Sequence, residues 1–406
     1  MNRKHHALTL LMLIATFAGA TTPAFAQGSL NPPGAPVPTM KTLQQIYDRI
    51  DQLIATVSNQ QQQIDYLAAS VGFNTAWTSN NVAPGIIQLG NFAEAPDGRL
   101  GLAFIDNLSP AKISYAVYNG TSWSVEEAQA PDGSGWYNVF LAYLTNGQPA
   151  IAYTRANQQD LYFAFRSPGG GWTRRTIWSS GTFNFAVTGF GIGLGGVPTV
   201  GYRDPAVNIL GMATTTDNGL NWSFDTVFTQ FVFNSVFKIQ PNGRPATVLL
   251  STGVVNSLIY RYRGTSQWFT ETVASSTSVG RPKDLTWTPD GFPAVVHQNV
   301  DASALYLSEW NGSSFVQRTI EVSAPDGLGG EAGVAYSAAG QPMVILGYSA
   351  RPLGFYEWNG ASWTKSLLSS NTMIERRITV RPDGQPFVAS RESSVGLTLW
   401  QRGVQP

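Results

Sequence analysis

The sequence predicts an all-β chain folded as a seven-bladed β-propeller, and three observations carry the prediction. First, one unit recurs seven times after Phe92: an apolar strand, a tight Gly turn, a second apolar strand usually opened by Pro, a third strand and a Trp-led fourth. Its turn glycines, Gly98, Gly147, Gly196, Gly243, Gly291, Gly340 and Gly384, stand 49, 49, 47, 48, 49 and 44 residues apart, the length of one four-stranded blade. Second, the Trp opening the fourth strand appears as Trp123, Trp172, Trp222, Trp268 and Trp363, with Phe315 once in its place. Third, the last repeat ends without such a strand, while NTAWTSNNV around Trp77 has its pattern and no blade of its own. The ring, residues 72–406, is therefore expected to close by exchange, with residues 74–82 as the outer strand of the last blade.

Three segments precede the repeats. Residues 1–26 carry Arg3 and Lys4, an apolar run from Ala7 to Ala20 and then Ala24-Phe25-Ala26, the pattern of a cleaved signal peptide. The run is shorter than the ~20 residues that span a bilayer, so export without a transmembrane anchor is expected, to the exterior, the periplasm or the cell surface. Residues 27–39, QGSLNPPGAPVPT, hold four prolines and read as an extended spacer. From 40 to 71, Leu43, Ile46, Ile50, Leu53, Val57, Gln60, Ile64, Leu67 and Val71 fall on alternating three- and four-residue steps, the a and d positions of a coiled coil. β-Branched a positions with Leu53 and Leu67 at d favour two strands, whereas Ile46 at d and Ile54 at e favour three. Self-association as a dimer or trimer is the expectation; a helix folded back on its own ring is the alternative.

Composition narrows the chemistry. With Arg3 and Lys4 gone, 23 of the 25 basic residues face 25 acidic ones, which argues against a nucleic-acid partner. The absence of cysteine rules out disulfides, thiolate metal sites and a Cys nucleophile. His5 and His6 leave with the signal, so a Ser-His-Asp arrangement or a histidine-bound metal would have to use His297. That residue aligns with Phe104, Tyr153, Tyr202, Leu249, Leu346 and Ser390 of the other repeats, and is expected to pack between blades. Neither a cofactor nor a metal is expected.

Turn chemistry supports the same register. Asn119-Gly120, Asn311-Gly312 and Asn359-Gly360 are expected to supply positive φ angles between third and fourth strands. One such turn, Thr215-Thr216-Asp217-Asn218-Gly219-Leu220-Asn221-Trp222, resembles the Asp-box of sialidase-like propellers, with Asn221 where that motif has Thr. The resemblance implies a structural role for Asp217, capping N–H groups of its own turn. It does not extend to sialidase chemistry: the Arg-Ile-Pro signature is absent, seven repeats replace that family's six, and nothing in the sequence draws Arg155, Arg203, Arg351, Arg377 and Arg391 onto one centre. The spacer and the start of the heptads, GSLNPPGAPVPTMKTLQQIYDRID, resemble the Pro-rich leader of exported bacterial and phage tail-fibre-like proteins, where trimeric stalks are common.

Candidate functional residues come from strand ends and loops. The second strands end on Asp106, Arg155, Asp204, Ser251, Asn299, Tyr348 and Glu392, where the chain leaves the core for the loops of one face. Asp106, Asp204 and Glu392 are the carboxylates to test for acid-base hydrolysis or lysis of a polysaccharide. The matching loops APDGSG at Ala130 and APDGLG at Ala324 read as Gly-rich turns, with Asp132 and Asp326 as turn residues rather than calcium ligands. Trp136 and Trp178 lie beside blade-to-blade loops, outside the Trp column, where an indole can stack on a pyranose. With Arg155, Arg203, Asp204, Asn299, Tyr348 and Arg391 they form the candidate ligand set. The expected function is a secreted, non-enzymatic module that binds a glycan or another surface ligand. The alternatives are a polysaccharide hydrolase or lyase, and a structural surface or fibre component.

Overall fold

A computed structural model of the chain describes residues 73–83, 85–106, 111–130, 136–155, 160–179, 186–204, 206–230, 232–252, 255–299, 303–322, 331–348, 351–369, 373–381, 384–392 and 396–404. The signal, spacer and heptad segments assigned above lie outside the described residues, as do Asp132 and Asp326.

The described strands form seven antiparallel sheets of four. Six of them are built in chain order, beginning with Ile86–Glu94, Leu100–Asp106, Ile113–Tyr118 and Trp123–Gln129. In the seventh, Met373–Val380, Pro386–Glu392 and Gly396–Val404 are joined by Phe73–Ala83, which takes the outermost place. Thr78 pairs with Gln401, Asn80 with Leu399 and Asn81 with Thr398, so both ends of the ring meet in one sheet.

Position within the blade explains the composition of each strand. Second strands have a strand on either side and a blade on either face, and they read as near-continuous apolar runs such as LGLAFID, buried throughout. Fourth strands have one edge and much of one face in water; WSVEEAQ is exposed or half-buried at all positions but Ala128. Proline opens second strands at Pro149, Pro245, Pro293, Pro342 and Pro386, a position that costs the ladder least.

All seven turn glycines between first and second strands have φ between +75° and +82°, a region closed to most side chains. In six of them the glycine N–H closes the turn onto the carbonyl three residues back, as from Gly98 to Ala95 at 2.9 Å. The third-to-fourth-strand turns differ from expectation. Gly120, Gly312 and Gly360 take positive φ, but their asparagines do not. Asn119 acts through its side chain instead, Oδ1 accepting from the N–H groups of Thr121 and Ser122 at 2.9 and 2.8 Å, and Asn311 and Asn359 repeat the arrangement. An Asx cap fixes the loop without asking a β-carbon to enter the left-handed region.

The Trp column holds neighbouring blades together. Trp77 meets Phe355 edge-on at 4.9 Å, Trp172 meets Tyr115 at 5.9 Å and Trp222 meets Phe163 at 5.5 Å, each on the preceding blade. Phe315 does the same against Tyr260 at 6.0 Å.

The seven inner strands pack side by side around a central channel of about 750 Å³. Each is a sheet edge with peptide groups lacking a ladder partner, and side chains of the preceding blade satisfy some of them. Gln88 accepts from Asn138 N–H at 2.7 Å, Asn91 from Leu141 N–H at 2.6 Å, Asp284 from Val334 N–H at 3.1 Å, and Glu375 from Leu89 N–H. Arg377 Nη2 and Arg203 Nη1 donate to the carbonyls of Leu89 and Val232, both at 3.4 Å.

Candidate ligand-binding site

The strand-end residues sit one per blade, and Asp106, Arg155, Asp204 and Asn299 each engage a residue that follows in the chain. Asp106, 6% exposed, accepts from Lys112 N–H at 3.2 Å and faces Lys112 Nζ at 3.7 Å. Asp204 Oδ1 accepts from Ala206 N–H at 2.9 Å. Asn299 Oδ1 accepts from Ala304 N–H at 2.8 Å while Nδ2 donates to Ser303 Oγ at 2.9 Å. Arg155 Nη1 lies 3.7 Å from Asp160. Tyr348 and Glu392 have described backbones only, paired with Arg351 and with Met373 and Gly396. Asp106, Asp204 and Glu392 therefore belong to blades 1, 3 and 7, each at the end of a separate second strand.

Arg391 stands opposite Glu375 across the first two strands of blade 7, and Arg203 lines the central channel. His297 is 2% exposed, its Nε2 2.9 Å from Ser308 Oγ, and burial lowers its pKa to about 4. Among the described residues no group of three His, Asp or Glu is placed to hold a metal ion.

The two loop tryptophans part company. Trp136 is 2% exposed and packs edge-on against Tyr153 at 5.2 Å and Tyr162 at 6.2 Å, so its ring offers no stacking face. The strand register turns it inward, correcting the expectation of a solvent-facing platform. Trp178, in the outer strand Trp172–Ser179 of blade 2, is 37% exposed. It meets Phe224 of the outer strand of blade 3, 43% exposed, edge-on at 4.9 Å. Tyr202 lies behind, 6.2 Å from Phe224. Burial first, and then the charges of Asp204 and Asp225, push the Tyr202 hydroxyl up to about 12, so it stays a neutral donor and acceptor. Asp225 is paired with Arg263 at 3.1 Å. An exposed aromatic pair backed by a hydroxyl suits a ligand with one apolar and one hydroxylated face.

Phe224 and Tyr202 were not singled out from sequence, because blade-to-blade pairing has no local signature. The charged channel was missed as well. Its signal was readable: Val279–Trp287 and Met373–Val380 carry Arg281, Lys283, Asp284, Glu375, Arg376 and Arg377 where other inner strands are mostly apolar.

The Asp-box-like turn is closed on itself. Asp217 accepts from Asn221 N–H at 2.9 Å, Asn221 Nδ2 at 2.7 Å and Thr215 Oγ1 at 2.8 Å, which lower its pKa to about 2. Trp222 Nε1 donates to Gly219 O at 3.2 Å.

Fold and site define a seven-bladed β-propeller with an aromatic ledge on its outer rim. No family model matches the chain, and no curated protein matches its sequence. Solved structures do resemble it. Puromycin hydrolase aligns with a TM-score of 0.56 and 14% identity, over 80% of this chain and 53% of that one. A chain of the mitotic checkpoint complex gives 0.52 and 13%, over 94% and 99%, and AofleA from Arthrobotrys oligospora gives 0.50 and 14%, over 73% and 91%. At these identities the likeness is one of fold.

Proposed function

We propose that this chain is a non-enzymatic binding module whose propeller recognises a glycan or glycan-like surface ligand at the Trp178–Phe224 ledge. The exposed edge-on pair carries the reading, since two large rings remain in water side by side on adjacent blades. The indole would stack on the apolar face of a sugar while the Tyr202 hydroxyl and the loop of Asp204 meet its hydroxyls. Export and clustering through residues 40–71 complete the proposal, because several weak sites on one stalk gain avidity, by about 10²- to 10⁴-fold when they engage together.

The test is a glycan array probed with the full chain, followed by titration of any hit. Trp178→Ala should weaken binding about tenfold or more, with the wild-type circular-dichroism spectrum intact. An array without hits, or a Trp178→Ala protein that binds normally, would remove this reading. Asp204→Asn separates it from polysaccharide cleavage: turnover of a polymer by wild type, abolished in that variant, would replace the binding module with a hydrolase or lyase.

A further inference from the structure

The central channel is a second place where chemistry accumulates, remote from the rim ledge. Lys283, on the inner strand of blade 5, lines it and is half-buried. Among the described residues its ammonium makes no hydrogen bond or ion pair, unlike the channel charges that stitch blades together. Glu331 of blade 6 is the opposite charge that acts on it most, ahead of the like charges of Arg281 on its own strand and Arg376 of blade 7.

Three of the carboxylates nearby have other partners as well. Glu331 lies 3.5 Å from Arg377 Nη1. Asp284 is held by Lys238 at 2.7 Å and caps Val334 N–H. Glu375 accepts from Leu89 N–H, and burial pushes its carboxyl above the usual range, toward the neutral form. Arg376 has no exposed surface and donates to the carbonyls of Glu331 and Gly347, bonds that leave its charge in place. Among the described residues lining the channel, Arg203, Lys238, Lys283 and Arg377 face Glu94, Asp284 and Glu331, an excess of positive charge that an entering counter-charge would offset, because low polarity strengthens the repulsion among the cations.

We propose that the channel binds an oxyanion group, a phosphate, sulfate or carboxylate, with the Lys283 ammonium as its principal contact and the Arg377 guanidinium, shared with Glu331, as a second donor. At about 750 Å³ the space exceeds one such ion several times over and has the size of a small-molecule pocket, so the group belongs to a larger ligand or arrives with water.

Isothermal titration of the full chain with sodium phosphate, sodium sulfate and sodium glucuronate, at constant ionic strength, tests the site. Free ions and an anion carried on a sugar are thereby compared directly, with glucose as the uncharged control. Wild type should give saturable heat with at least one anion and none with glucose. Lys283→Met should weaken that binding about tenfold or more, the loss expected of one charge-assisted hydrogen bond. Lys283→Arg should retain it, and so should Trp178→Ala, which keeps the test independent of the rim. Should Lys283→Met lose the wild-type spectrum, Lys283→Gln makes the same comparison. No saturable heat with any of the three anions, or equal affinity in wild type and the folded neutral variant, overturns the proposal.

Discussion

His297 remains neutral where an exposed imidazole would take up a proton, because its ring is buried against Tyr306 at 5.4 Å, with the Ser308 hydroxyl at its Nε2 and no carboxylate among the groups that act on it. Its folded pKa is about 4 against 6.5 unperturbed. Between those values the unfolded chain binds a proton that the native chain refuses, so this contribution is complete above about pH 6.5 and is lost as pH falls toward 4. It is the one histidine after residue 6, so urea titrations at pH 7 and pH 5 should differ by about 2 kcal/mol more in wild type than in His297→Gln. Equal pH dependence in both would show an imidazole that charges freely. Two glycines make a second residue-level contrast. A β-carbon on Gly98 meets nothing, so Gly98→Ala should cost about 1 kcal/mol, from its positive φ alone. A β-carbon on Gly201 would strike the Phe237 ring of the next blade, and Gly201→Ala should cost about 1–3 kcal/mol, read from denaturant midpoints. Gly98 announces its turn in the sequence by its period; the role of Gly201 depends on a ring far along the chain and could not be read there.

Among elements, the fourth strands show how one aromatic serves two blades. Trp77 belongs to the last sheet by its pairing with Arg402, yet its ring lies on Phe355 of blade 6, and Arg402 stacks over both while bonding Glu357 at 2.9 and 3.1 Å. Trp77→Ala should lower stability by about 3 kcal/mol, measured by chemical denaturation, since it removes a large half-buried ring that packs one blade on the next. The Asp-box-like turn works differently. Its contacts are within the turn and largely exposed, so Asp217→Ala should lower the melting temperature without altering ligand binding at the rim. Because Asp217 has its pKa lowered to about 2, that contribution is present above about pH 4 and is lost as pH falls through 2. Turns of this kind were legible residue by residue, as local hydrogen bonding suffices to form them. The Asn-Gly turns were legible as turns, but not in their mechanism, since side-chain capping and a positive φ leave the same dipeptide signature.

The whole ring depends on the pairing of Phe73–Ala83 with Gly396–Val404, which joins positions more than 300 residues apart. Deleting residues 74–82 leaves the last blade with an open edge and uncovers Phe355. The melting temperature should fall by at least about 10 °C in a circular-dichroism melt, and an unchanged midpoint would place the stability of the ring elsewhere. Seven blades, the turn positions and the strand that seals the circle were written in the chain as a period, because each blade repeats one local pattern of burial and turn. Which tryptophan faces water, that Asp106 and Asp204 accept from N–H groups of the residues that follow them, and that Lys283 shares a channel with Arg377 depended on folding. Those properties arise between blades, where the register of one sheet against the next sets burial and brings charges together, and no local run of residues encodes that meeting.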